Sequence, residues 1–326
     1  MVRFSDLGIE SRLVGCLADQ GITEPFEVQI EAIPSAMEGR DICCRAPTGS
    51  GKTLAFGLPL ISRTVPAEPK KPTALILTPT RELAEQIRNV LDPLAWESKM
   101  KVLSVYGGTS YGKQLRGLEK GVEILVACPG RLLDLLKRKA LSLEDVGIVV
   151  LDEADRMADM GFMEPVCKII DQCISEPQMI LFSATLDHEV SKLVKSYQND
   201  PVRIEVGPKE ISMDSMEHLF WNVKPYKKTE ITVKSVRRAG RSIIFCRTRS
   251  GVDRLSDEMK LDDVPLSSLH GGLNQKQRDR AMRKFSSGRS MVLVATDVAA
   301  RGIDVEGINC VICLLYTSPS PRDTSS

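Results

Sequence analysis

Residues 42–56 read ICCRAPTGSGKTLAF. A short apolar run gives way to a loop punctuated by Gly49 and Gly51, and then to an amphipathic stretch that opens at Lys52. Strand, glycine-rich loop and helix in that order form a place for an anion. The glycines let the backbone approach phosphate oxygens, and the first turn of the helix offers N–H groups with no partner of their own. Lys52 is positioned to reach β- and γ-phosphates, and the Thr53 hydroxyl to bind Mg²⁺. A strict phosphate loop begins with glycine where Ala46 stands. Ala46, Pro47, Thr48, Gly49, Ser50, Gly51, Lys52 and Thr53 are therefore the candidate nucleotide-binding positions.

Outward from the loop, residues 146–155 read VGIVVLDEAD. Acidic residues at the C-terminal end of a parallel strand lie where a ligand crevice opens. Asp152 suits a Mg²⁺ ion, directly or through water, and Glu153 suits orienting and deprotonating an attacking water. Alone, such a strand end is as readily an ordinary solvated terminus; the upstream phosphate loop favours the catalytic reading.

Other apolar runs, TALILTP, KVLSVYGG, VEILVACPG and QMILFSAT, alternate with amphipathic stretches such as RELAEQIRNVLDPLA. Strands apolar on both faces, separated by helices, indicate a parallel sheet covered on both sides. The pattern pauses at VGPKEISMDSME and resumes with HLFWNV, RSIIFCRT, VPLSSLHG and SMVLVATD. The expectation is an α/β protein with one parallel-sheet lobe over 1–207, a linker over 208–215 and a second lobe over 216–312.

The chain has 326 residues, 42% hydrophobic and 27% charged, as expected for a globular protein with a full core. No apolar run nears the roughly 18–20 residues needed to cross a bilayer, and the start lacks a secretory pattern, so no membrane partner and a cytoplasmic location are expected. Residues 1–208 carry 24 Lys and Arg against 29 Asp and Glu; residues 209–326 carry 20 against 14. A basic second half fits a nucleic-acid partner and fits a solvated surface equally well. Of the nine cysteines, only Cys310 and Cys313 form a Cys-x-x-Cys pair, weak evidence for zinc; most others lie in apolar runs, as reduced, buried thiols do.

GSGKT, PTREL (79–83), DEAD (152–155), SAT (183–185), HGGLNQKQR (270–278) and ATDVAARGID (295–304) occur in this order. Together they resemble the DEAD-box RNA helicases of superfamily two, from residue 4 to about 312. The resemblance implies two RecA-like lobes, the second incomplete, with ATP and Mg²⁺ as cofactors and RNA as partner. It implies that Gln29 reads the adenine edge, as an amide can by pairing with N6 and N7, that Phe4 stacks on the base, and that Asp304 and Arg301 face the nucleotide. It makes Lys52, Asp152, Glu153, Ser183 and Thr185 catalytic, the two hydroxyls bonding toward the DEAD carboxylates. For RNA it implies Thr80, Arg81, Gly107, Gly108, Pro129, Gly130 and Arg131, then Thr248, Gly271, Arg278 and Thr296. Glycines, hydroxyls and arginines without an aromatic row suit phosphates and 2′-hydroxyls rather than bases. His270 is expected to support its loop. Phe26-Glu27 replaces the family's Thr-Pro, and Cys128 replaces a Thr.

The end, YTSPSPRDTSS, has no apolar period, and codons for CLLYTSPSPRD spell a transposase-type sequencing adaptor. Residues 313–326 are accordingly expected to be non-native, displacing a family segment, HRxGRxGR, whose arginines reach the γ-phosphate, so this chain is expected to bind nucleotide yet turn it over poorly. Four activities compete: an RNA-stimulated ATPase that separates short duplexes, a DNA translocase, a non-catalytic ATP-dependent RNA clamp, and a phosphate-loop kinase, which would not need the second half.

Overall fold

Runs of aliphatic residues with no polar interruption form strands only where both faces can be covered, and the computed structural model has this arrangement. It describes residues 2–174, 176–207, 217–300, 305 and 307–315. The chain divides into two compact units, Met1–Ile211 and Ser212–Ser326.

In the first unit the strands are β1 (Ile42–Arg45), β2 (Ala74–Leu77), β3 (Val102–Val105), β4 (Ile124–Ala127), β5 (Ile148–Asp152), β6 (Gln178–Ser183) and β7 (Val202–Glu205). They form one sheet in the order β3-β4-β2-β5-β6-β1-β7, with every pairing parallel. Every residue of β2, β4, β5 and β6 is buried. Edge strand β7, by contrast, alternates. Helices α1 (Ser11–Asp19), α2 (Glu27–Met37), α3 (Lys52–Arg63), α4 (Arg81–Glu97), α5 (Tyr111–Glu119), α6 (Pro129–Lys137), α7 (Ala154–Asp159), α8 (Met163–Ile170) and α9 (His188–Tyr197) connect and flank the strands. Two apolar clusters result. One joins α1–α4 to residues such as Ile42, Ile76 and Phe182; the other joins α6–α9 to residues such as Leu75, Val149 and Leu181. Phe56 of α3 meets Phe182 of β6 at 5.6 Å between ring centres, so the helix that opens at Lys52 is pinned to the sheet through an aromatic pair.

The second unit holds α10 (Lys228–Ala239), β8 (Ser242–Cys246), α11 (Arg249–Lys260), β9 (Leu266–Leu269), α12 (Gln275–Ser286), β10 (Val292–Thr296), α13 (Asp297–Ala300) and β11 (Cys310–Cys313). Its sheet runs β11-β8-β10-β9, again all parallel. One expectation is corrected here. HLFWNV, read as a strand, is irregular, and Leu219, Phe220 and Trp221 are exposed at 63%, 93% and 60%. Among the described residues no strand pairs with it, and an extended segment without a hydrogen-bonded neighbour is not a sheet strand, whatever its apolar content. The expected linker falls outside the described residues. Among the described residues no helix is long and apolar enough to cross a membrane, and the nine cysteines form no disulfide. Burial pushes the thiols of Cys44 and Cys128 up to about 12.

Candidate active site

The chain leaves β1 at Arg45 and turns through the loop into α3. The Ala46 N–H donates to the Ser183 carbonyl at 2.9 Å, tying the start of the loop to β6, and Ser50 Oγ donates to the Pro47 carbonyl at 2.8 Å. Gly51 caps α3 at φ 87°, in the left-handed region that glycine alone adopts freely. A Cβ there would lie 2.6 Å from Gln29 Nε2 and 2.5 Å from the Phe26 ring, so conformation and space both demand glycine. Lys52 is buried in the first turn of α3, its ammonium donating to the Ala46 carbonyl at 3.2 Å. Thr53 follows, half-buried, while Pro47, Thr48 and Gly49 are exposed.

Asp152 ends β5 and is 3% exposed. Burial pushes its carboxyl up to about 6 against the opposing charge of Lys52. Glu153 is held left-handed at φ 55° as the cap of α7, a strained conformation of the kind that clusters at functional sites. Burial also raises the Glu153 carboxyl, with Arg156 and Lys52 opposing, and Arg156 Nη1 donates to Glu153 Oε2 at 2.9 Å. A buried carboxylate and a hydroxyl at the same end of the sheet, completed by phosphate oxygens, are a suitable donor set for Mg²⁺, which takes one or two protein carboxylates and keeps the rest of its shell from substrate and water. The two hydroxyls at the end of β6 act differently from one another. Thr185 donates to Asp155 Oδ2 through its N–H at 3.1 Å and its Oγ1 at 3.2 Å. Ser183 Oγ instead accepts the Asp155 N–H at 3.0 Å, so it reaches the backbone of the acidic segment rather than a carboxylate.

Gln29 is 1% exposed, and both ends of its amide are engaged. Oε1 accepts the Phe26 N–H and Nε2 donates to the Gly51 carbonyl, each at 2.9 Å. The residue expected at the adenine edge is thus also the strut between α2 and the phosphate loop. Phe4, expected to stack on the base, is 1% exposed within the α1–α4 apolar cluster. It presents no free face, and here it pins the N-terminal segment to the first unit.

The remaining first-unit candidates gather at the same end of the sheet. Because all strands are parallel, the C-terminal ends of β1, β5 and β6 carry the loop, Asp152–Glu153 and Ser183–Thr185, while those of β2, β4 and β3 carry the other set. Thr80 caps α4, its hydroxyl accepting the Leu83 N–H at 3.3 Å. A Cβ on Gly108, at φ 84°, would lie 2.2 Å from Arg81 Nη1, so glycine lets that guanidinium rest on the backbone. Pro129 and Gly130 open α6. Arg131 donates to Gln114 Oε1 at 2.8 Å and lies 4.1 Å from the Tyr111 ring centre. Burial, with Arg81 and Arg138 near, lowers the pKa of its guanidinium. Sequence reading missed Tyr111, Gln114 and Arg156; only Arg156, three residues past Glu153 at a helix start, left a signal in spacing.

In the second unit Thr248, Gly271 and Thr296 follow or end β8, β9 and β10, sharing one edge of that sheet. Thr248 caps α11, accepting the Gly251 N–H at 3.0 Å. Arg278 departs from its expected role as an RNA contact. It is 8% exposed and donates to the His270 and Ala299 carbonyls, both at 3.4 Å, bracing the interior of its own unit. His270 supports its loop, with Nε2 against Asp253 Oδ1 at 3.0 Å and Nδ1 accepting the Gly272 N–H at 3.2 Å. Arg301 and Asp304 lie outside the described residues.

A glycine loop capping a helix beside two buried carboxylates, on an all-parallel RecA-like sheet with a smaller parallel sheet after it, defines a phosphate-loop nucleotide-binding protein of helicase type. The family models agree: residues 26–193 match the DEAD/DEAH box helicase, and residues 226–324 the helicase conserved C-terminal domain. The chain belongs to the DEAD/DEAH box helicase family. Along its whole length it is 37% identical to the DEAD-box ATP-dependent RNA helicase CshA of Bacillus cereus (strain ATCC 10987 / NRS 248), covering 62% of that protein, and 36% identical to CshA of Bacillus subtilis (strain 168), covering 65%. It therefore spans less than two thirds of these relatives. Among solved structures, Saccharomyces cerevisiae Dbp5 bound to RNA and ADP BeF3 matches 94% of this chain and 79% of its own, with TM-score 0.83 and 30% identity. A DEAD box protein from Methanococcus jannaschii matches 96% and 85%, with TM-score 0.60 and 33% identity.

Proposed function

We propose that this chain is the catalytic portion of an ATP-dependent RNA helicase, hydrolysing ATP in response to RNA and remodelling short duplexes. The observation that carries this reading is the single sheet edge of the first unit: β5, which ends in Asp152 and Glu153, is the immediate neighbour of β2, which leads to Arg81, while β1 leads to Lys52 and β4 and β3 lead to Arg131 and Gly108. An edge shared in this way lets RNA engagement bias the ATP chemistry through common strands and caps. The relatives' printed descriptions, ATP-dependent RNA helicases, support the same reading.

On this reading the α3 N-terminus and Lys52 bind the phosphates. Thr53 and Asp152 would hold Mg²⁺, which when bound neutralises charge on the transferring phosphoryl group. Glu153 orients the attacking water and takes its proton. Thr185, bonded to Asp155, links the acidic strand end to the segment after β6. Arg81, Arg131 and Thr80 grip the RNA backbone in the first unit, and Thr248, Gly271 and Thr296 are the corresponding backbone contacts of the second. ATPase rates with RNA, with DNA and with no polymer test the reading. Stimulation by RNA alone is expected; equal stimulation by DNA would favour the translocase, and an unstimulated rate a small-molecule kinase.

Gln29→Ala should weaken nucleotide binding generally, by releasing the Gly51 carbonyl. It should also erode preference for ATP over GTP by about 1–3 kcal/mol, the range for a good bidentate amide–adenine pair. Paired titrations of fluorescent ATP and GTP analogues measure both effects, and equal affinities in the parent protein would remove the adenine-reading role.

A further inference from the structure

α12 carries five Lys and Arg residues against one Asp. Lys276, Arg280, Arg283 and Lys284 are all exposed, and at 3.6 residues per turn they fall within an arc of about 100°. Arg278, Ala281 and Phe285 are buried on the opposite side and anchor the helix. Several exposed helical lysines elsewhere have counter-charges one turn away: Lys168 with Glu164, Lys192 with Glu189, Lys234 with Glu230, and Lys260 with Asp257. None of the four α12 cations has an ion pair among the described residues, and the only acid in the helix is Asp279. Like charges at these spacings repel, so the stripe costs the folded unit something that a polyanion would offset.

We infer that this face of α12 is a second contact surface for nucleic-acid backbone, apart from the sheet-edge residues. The inference rests on the RNA-helicase reading. Two features favour RNA over an acidic protein segment. The helix begins directly after the loop that holds Gly271, so the stripe continues from the proposed RNA edge. From Lys276 to Lys284 it extends about 12 Å at 1.5 Å per residue, room for three or four phosphates at roughly 3.4 Å of axial rise per nucleotide of one strand. A lysine and arginine stripe without aromatics grips phosphates irrespective of sequence.

The test is the salt dependence of binding a labelled RNA oligonucleotide, with a non-hydrolysable ATP analogue present. The quadruple variant Lys276→Gln, Arg280→Gln, Arg283→Gln, Lys284→Gln keeps helix formers throughout. Its control, with the same change of net charge, is Lys99→Gln, Lys168→Gln, Lys192→Gln, Lys195→Gln. The slope of log Kd against log salt should fall by about 2–3 in the α12 variant, at roughly 0.7 per lost contact, and stay parental in the control. ATP-analogue affinity should be unchanged in both. If the quadruple variant loses its native circular dichroism, Lys276→Gln with Arg280→Gln should still lower the slope by about 1.4. A parental slope in a folded α12 variant overturns the inference alone, as does parental RNA binding with lost affinity for polyglutamate. A parent chain that binds no RNA overturns the inference and the helicase reading together.

Discussion

Glu153→Gln should leave ATP bound and slow its hydrolysis roughly 10²–10⁴-fold, the usual worth of a positioned general base. The amide keeps the size of the side chain, so the left-handed backbone at residue 153 and the cap of α7 should persist. What is lost is the proton acceptor and the charge that Arg156 meets at 2.9 Å. ATP affinity should be parental, and RNA complexes formed with ATP should outlive those of the parent, since the step that releases them is blocked. Single-turnover hydrolysis beside fluorescent-ATP titration separates the two quantities. Hydrolysis at the parental rate would remove Glu153 from the role of base.

Lys52→Ala should cost ATP binding about 2–5 kcal/mol, the range for truncating one member of a buried hydrogen-bonded charge pair. That corresponds to tens- to thousands-fold in Kd. The ammonium is the buried cation of the phosphate loop, and it also opposes the burial that pushes Asp152 up to about 6. Its removal therefore takes charge from the phosphates and counter-charge from the acidic strand end together. Equilibrium titration with a fluorescent ATP analogue checks the affinity, and an unfolding curve close to the parent's shows that α3 is intact. Lys52→Arg should recover little, because a planar fork does not replace a compact ammonium in a loop of this size.

The chemistry of the loop was legible in sequence because it is local. Glycine at φ 87° before a helix and a lysine in the first turn need only a dozen consecutive residues to be recognised. The parallel sheet was legible for a similar reason: strands buried on both faces, such as β5 and β6, have no polar positions to alternate. The positions proposed to face RNA could be named from resemblance, though not arranged.

The arrangement came from tertiary structure. HLFWNV has the composition of a strand, yet a strand also needs backbone partners, and these lie far along the chain or nowhere among the described residues. Phe4 reads by resemblance as a base-stacking ring, and its burial among α1–α4 instead favours a core anchor. Arg278 sits in a charged run, and only the His270 and Ala299 carbonyls reveal it as an internal brace. Gln29 bonds across 22 positions to Gly51, and Thr185 across 30 to Asp155. The sequence by itself determined where a glycine loop meets a helix start and that it stands on parallel strands, since backbone conformation and two-faced burial follow from neighbours in the chain. Which side chains are free to meet a ligand was decided only by the fold, because burial and hydrogen-bond partners are supplied by residues remote in sequence.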